Sequence, residues 1–220
     1  MPYKVRAINP SKTALIIVDM ENDFVAEGAP LRANMAPVVV PSLKRALAHA
    51  RRTGMPVIFT THAHRRDGCD MGVYGSLWPP IVQRVGLVDG EEGVEIYKEL
   101  EPLANEVVIK KRRYSGFYGT DLDIILRSSA IEVVVITGLT TENCCHATAR
   151  DALFHNYGVI FLSDATGTFD YPDMGHGAMS AAEVHRASLV ILAVSTAHVM
   201  TVDEMIALTK VPTESGVKVA

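Results

Sequence analysis

Residues 13–19 read TALIIVD, continuously apolar from Ala14 to Val18, and this run constrains the fold more than any other feature of the chain. A strand with one face in water alternates polar and apolar side chains, whereas a strand covered on both faces reads as an unbroken apolar run. Further short apolar runs stand at 56–60 (PVIFT), 106–110, 133–137 and 159–163. Helix-like segments alternate with them at 41–53, 120–128, 142–156 and 180–193. The first carries Leu43, Ala46, Leu47 and Ala50 on one face and Gly54 as its stop. Strands alternating with helices predict an α/β fold: a parallel sheet, covered on both faces, with right-handed crossovers. No repeat, low-complexity tract or linker interrupts the pattern. With ~150 residues per domain as the prior, 220 residues predict a single domain over 1–220.

At 48% hydrophobic and 21% charged residues, the chain is neither disordered, collagenous nor a small disulfide scaffold. A net charge of −4 argues against nucleic acid or an anionic membrane as partner and in favour of a small molecule. No apolar stretch at the start resembles a secretion signal, and no run approaches the ~20 residues that span a bilayer. The cysteines are Cys69, Cys144 and Cys145, an odd number with two adjacent. That pattern makes a poor disulfide framework and reads as reduced thiols in the cytoplasm.

In parallel sheets of this kind, ligands sit beyond the carboxyl ends of the strands. Asp19, His62, Lys111 and the turn Gly138 to Cys144 are all predicted there. Thr141 is a good N-cap, which would put Cys144 in the first turn of a helix, where unpaired N–H groups favour an anion. Such a setting lowers a thiol pKa from ~8.5 and can hold an oxyanion. Cys144 therefore reads either as a nucleophile or as a buried structural thiol, and Cys145, about 100° round the helix, as core. Asp19 is a proton carrier or a loop cap. Lys111 is a thiolate stabiliser or part of the basic run Lys110-Lys111-Arg112-Arg113.

Three segments resemble the isochorismatase-like cysteine hydrolases. Asp19-Met20-Glu21-Asn22-Asp23-Phe24 is similar to the family's D-x-x-x-D-F start. Lys111-Arg112-Arg113-Tyr114-Ser115-Gly116-Phe117, with Thr120-Asp121-Leu122 after it, resembles its K-x-x-x-S-[AG]-F…T-x-L segment. Gly138-x-x-Thr141-x-x-Cys144, followed by Thr148-Ala149-Arg150-Asp151-Ala152, resembles its nucleophile turn. The resemblance runs over about residues 11–200 in the family's order. It implies a Rossmann-like three-layer α/β/α domain with a central, mainly parallel sheet. It further implies amide or carbamoyl C–N hydrolysis through a thioester, with Cys144 as nucleophile, Asp19 as general base and Lys111 as thiolate stabiliser. A non-proline cis peptide would fall at Leu139–Thr140 and aim the Thr140 N–H, with that of Cys144, at the oxyanion.

Within the family, the wording of 67–72 and of Tyr114 to Phe117 looks most like the carbamoyl hydrolases, of the N-carbamoylsarcosine amidase and ureidoacrylate hydrolase type. Tyr114 stands where biuret enzymes carry lysine. A metal-dependent nicotinamidase is the alternative, on the strength of His62-Ala63-His64 with Asp67 and Asp70 nearby. A non-catalytic binding domain on the same scaffold is another. The expectation is an enzyme without cofactor or metal, assembled as a homodimer or homotetramer. Phe24, His62, Trp78, Tyr114 and Tyr118 are candidates for the substrate pocket. His176 and His185 read as solvated or capping, and 164–177 as a lid or a subunit contact. The Gly- and Pro-rich excursion 61–94 is long enough to be functional.

Overall fold

A computed structural model of the chain describes residues 4–209; residues 1–3 and 210–220 of the expected 1–220 domain lie outside the described residues. Six strands form one parallel sheet: β1 (Thr13–Val18), β2 (Val57–His62), β3 (Val107–Lys111), β4 (Val133–Leu139), β5 (Gly158–Gly167) and β6 (His198–Met200). Their spatial order is β3-β2-β1-β4-β5-β6, with every neighbouring pair parallel. The order reverses between β1 and β4, and in a sheet of this type the crevice at that switch point is where ligands bind.

The alternation of side chains along each strand builds two separate cores. Leu15, Ile17, Phe59, Val135 and Ile160 face α1 (Ala36–Thr53) and the last helix, while Ile16, Val18, Ile58, Val134 and Ile136 face the other way. The second face is covered by α2 (Leu122–Ser128), α3 (His146–Phe154) and α4 (Ala181–Ser195); α5 (Val202–Leu208) completes the first. Full burial of each such side chain stabilises the fold by about 1.5–3 kcal/mol. The three layers predicted from the apolar runs are present.

Several boundaries differ from the sequence reading. Helix α1 starts at Ala36 rather than residue 41, because Pro37 supplies the first-turn proline and Pro41 is carried inside with its ring on the exposed side. Strand β5 runs to Gly167, four residues past the expected end. The segment 142–156 is split: a single π-type turn, Thr141–Cys145, precedes the regular helix α3. Strand β6 and α5 lie beyond the last predicted helix. Among the described residues, no helix is long and apolar enough to cross a membrane.

Candidate active site

The strand ends at the switch point deliver three ionisable groups to one place. Asp19 follows β1 directly, in a left-handed conformation with φ 48°. Lys111 is the last residue of β3 and Cys144 lies in the π-type turn after β4. The Lys111 ammonium stands 2.6 Å from Asp19 Oδ2 and 3.3 Å from Cys144 Sγ, and its third donor reaches the Arg113 carbonyl at 3.0 Å. Thr60 Oγ1 donates to Asp19 Oδ1 at 2.7 Å and fixes the carboxylate. All three groups are buried.

The backbone explains why these positions meet. Gly138 has φ 105°, and a Cβ there would lie 2.0 Å from the Val18 carbonyl oxygen, so only glycine lets β4 press against the end of β1. The following peptide, Leu139–Thr140, is cis. Thr148 Oγ1 donates to the Cys144 carbonyl at 2.7 Å and accepts from the Gly116 N–H at 2.9 Å, tying the cysteine turn to the segment after β3. Cys145 points away, its Sγ 3.6 Å from the Thr137 carbonyl in the core.

Charge distribution in this cluster differs from the expected lowered thiol pKa. Burial raises the Cys144 thiol well above its ordinary range, and the facing Asp19 adds to that; Lys111 opposes both without overcoming them. One ammonium cannot neutralise two buried anions, so the resting sulfur keeps its proton. Burial disfavours the charge on Lys111, but the facing Asp19 carboxylate outweighs it and holds the ammonium above its ordinary value. Beside them burial, and Asp19 second, push the carboxyl of the fully buried Glu21 well above its ordinary range, while its Oε2 accepts from the His62 N–H at 3.0 Å.

A small cavity opens on Cys144 and encloses about 20 Å³ of free space, room for roughly one water. Of the residues singled out in the sequence, Phe24, His62, Trp78, Tyr114, Thr140 and Cys144 line it. Tyr118 does not. It is 66% exposed, because Phe117 takes the inward position of that turn and sends its neighbour outward. Tyr74, Asn143 and Phe169 also line the cavity without a sequence signal that singles them out; Tyr74 lies in a stretch without periodicity. Phe169 and Tyr171 place part of 164–177 against Trp78, with ring centroids 5.0 and 6.2 Å from it. His185 is not solvated: its ring bridges Thr141 Oγ1 at 2.8 Å and the Ser163 carbonyl at 2.9 Å.

Among the described residues, one group of three potential metal ligands is gathered, Asp19, His62 and Cys144, with ligand atoms within 4.8 Å of one another. The Lys111 ammonium already occupies the anionic side of that group. His62 and His64 have ring centroids 5.1 Å apart, but the His64 Nδ1 faces Asp70 at 3.5 Å instead of sharing a focus with His62.

Comparison with known proteins decides the family. The isochorismatase domain model matches residues 13–204. The chain belongs to the isochorismatase family. Within it, the chain is 36% identical over 179 residues to a ureidoacrylate amidohydrolase of Serratia proteamaculans, covering 73% of this chain and 71% of that protein. A ureidoacrylate amidohydrolase of Yersinia enterocolitica is 34% identical over 178 residues, 73% and 77% of the two chains. Among solved structures, a cysteine hydrolase from Pseudomonas syringae superposes with a TM-score of 0.90 at 37% identity, over 94% of this chain and 96% of that one. An N-carbamoylsarcosine amidase from Thermoplasma acidophilum superposes with a TM-score of 0.69 at 31% identity, over 87% and 97%.

Proposed function

We propose that this isochorismatase-family protein is a cysteine amidohydrolase that cleaves a C–N bond of a small amide or carbamoyl (ureido) compound through a thioester on Cys144. The observation that carries the reading is the buried contact of Lys111 Nζ with both Asp19 Oδ2 (2.6 Å) and Cys144 Sγ (3.3 Å) at the edge of a cavity. The relatives named as amidohydrolases support it.

The chemistry follows from the proton inventory. A substrate carbonyl entering the cavity meets a neutral thiol beside a carboxylate. Asp19 takes the thiol proton as Sγ bonds to the carbonyl carbon, and the negative charge moves to the substrate oxygen. The N–H groups of Thr140 and Cys144, both cavity residues, are the assigned donors to that oxygen. Collapse breaks the C–N bond, and the departing nitrogen takes the proton from Asp19 and leaves as ammonia or amine. Water then loses a proton to Asp19 and attacks the thioester, the acid leaves, and sulfur recovers the proton. With a carbamoyl substrate, the carbamic acid released falls apart to amine and carbon dioxide. Lys111 keeps its charge throughout and balances whichever neighbour is anionic.

The same reading places the protein in the cytoplasm as a homodimer or homotetramer. Its free thiols suit a reducing compartment. Val190, Ile191 and Val194, all at least half exposed on α4, offer an apolar face for a second copy. The test is ammonia release over a panel of carbamoyl acids (ureidoacrylate among them), substituted ureas, maleamate-type amides and nicotinamide. Cys144→Ala is expected to abolish release while the circular dichroism spectrum and melting temperature stay near those of the wild type. A Cys144→Ala protein that turns over normally would exclude the thioester route.

A further inference from the structure

Thioester hydrolysis asks something of the site that thioester formation does not. A substrate is oriented by the remainder of its own molecule, whereas the water that releases the acid has only its two hydrogens and two lone pairs to hold it. One hydrogen is given up to Asp19. The other needs an acceptor, because a water hydrogen left unpaired in a buried site is costly. The rings of Phe24, Trp78 and Phe169 in the cavity wall offer none.

His62 supplies one. Its side chain is 1% exposed, and its Nε2 is buried without a hydrogen-bond partner. A ring nitrogen lies within 4.8 Å of both a carboxylate oxygen of Asp19 and Cys144 Sγ, at the cavity whose volume of about 20 Å³ is the size of one water. Burial first, and the nearby Lys111 second, keep the ring neutral, so it retains a lone pair. The Arg112 carbonyl beside the ring favours the tautomer that turns an N–H toward it and leaves the second nitrogen as an acceptor. The imidazole is also held in place from several sides. Its backbone N–H donates to Glu21 Oε2 at 3.0 Å, His62 is paired in register with Lys111, and the rings of His64 and Tyr74 pack on it with centroids 5.1 and 5.4 Å away.

We propose that His62 is a catalytic residue of the second half of the reaction: its ring accepts a hydrogen bond from the water that attacks the Cys144 thioester and aims the water oxygen at the carbonyl carbon. The inference rests on the hydrolytic reading above and deepens it. One O–H of the water points at Asp19, which takes that proton as the new C–O bond forms; the other points at His62, which stays neutral. The carbonyl electron pair moves to its oxygen, collapse breaks the C–S bond, and sulfur recovers the proton from Asp19 as the acid leaves. During thioester formation the same nitrogen meets an N–H of the leaving group, a lesser demand because the substrate is already positioned by its other contacts.

The experiment follows the two half-reactions separately in the full chain, with ureidoacrylate or whichever member of the panel reacts fastest. The wild type is compared with His62→Leu and His62→Phe, two replacements of different shape that lack an acceptor, and with His62→Gln, which keeps one. Rapid-quench ammonia release reads thioester formation, and intact-protein mass reads the acyl group on Cys144. In the Leu and Phe variants the first equivalent of ammonia is expected at a rate within about tenfold of the wild type, with thioester decay slowed on the order of 100-fold, so that acylated protein accumulates. Hydroxylamine, a stronger nucleophile than water, should restore turnover to these variants, and His62→Gln should recover a large part of the loss. Variants that form and hydrolyse the thioester as the wild type does, or that lose both steps equally without accumulating acylated protein, overturn the inference and leave the hydrolytic reading standing. Ammonia release by the wild type from no member of the panel brings down that reading and the inference with it.

Discussion

Replacing Glu21 by glutamine tests the charge distribution around the triad without touching it. Glutamine keeps the shape of the side chain and an acceptor for the His62 N–H, but it cannot ionise. In the unfolded chain Glu21 titrates near the ordinary value of 4.5, whereas in the folded protein burial and Asp19 hold its proton on to higher pH. A folded-state pKa raised in this way contributes stability that is complete below about pH 4.5 and is lost as the pH climbs toward the folded-state value. The slope is at most about 1.4 kcal/mol per pH unit, so the Glu21→Gln variant should gain on the wild type as the pH rises above 4.5. For a chain of this length that slope is roughly 3–6 °C of Tm per pH unit. Calorimetry of both proteins across a pH series at fixed ionic strength reads it directly. The exchange of a hydroxyl for an amide at the unpartnered Oε1 adds a constant offset and leaves the slope alone. A difference that is flat, or that shrinks as pH rises, would mean Glu21 is ionised in the folded protein and the reasoning is wrong.

Three further outcomes are expected. Lys111→Met leaves the Asp19 carboxylate buried without its cation and should cost about 3–5 kcal/mol in urea unfolding, much of it restored when Asp19→Asn is added; a single variant as stable as the wild type would contradict the buried pair. Because the Cys144 thiol is raised, its thiolate fraction at pH 7 is smaller than that of a free thiol. Iodoacetamide should therefore label it more slowly than glutathione there, with a rate still climbing above pH 9, and a plateau below pH 8 would count against this. Gly138→Ala should lower Tm by several degrees and depress turnover, since β1 or β4 must shift to admit the methyl group; unchanged values of both would show that the approach of the two strands is not tight.

The architecture was legible where a local signal reports a global environment. An unbroken apolar run such as 14–18 reads as burial on both faces, and four of the five runs are strands of that kind; the fifth, 106–110, is the edge strand β3, with Val108 half exposed. Strand β6 gave no such signal, because His198, Val199 and Met200 are too few to show periodicity. The capping box of Thr201 and Glu204 that starts the following helix was present in the sequence and was the available clue. The helix start at Ala36 is ambiguous in the sequence because two prolines, Pro37 and Pro41, compete for the same first-turn role. At the site, strand ends located Asp19, His62 and Lys111 by position alone. The ring of Tyr74 was not legible, since it reaches the cavity from a looping excursion whose path depends on contacts distant in sequence, such as Arg112 with Asp70. The protonation of Cys144 is not legible in the sequence for a similar reason. The turn predicts a helix N-terminus that would stabilise an anion, while the larger effects, desolvation and the charge of Asp19, appear only when three strand ends are assembled.

The near-filled space beside Cys144 has a kinetic consequence. Water-sized space beside the sulfur leaves little room for an amide, and the Trp78 and Phe169 rings, 5.0 Å apart, stand in the wall a substrate has to pass. Capture of the reactant is thereby tied to the side-chain rearrangement of this wall, so substitutions at Trp78 or Phe169 should act on substrate entry as well as on its fit.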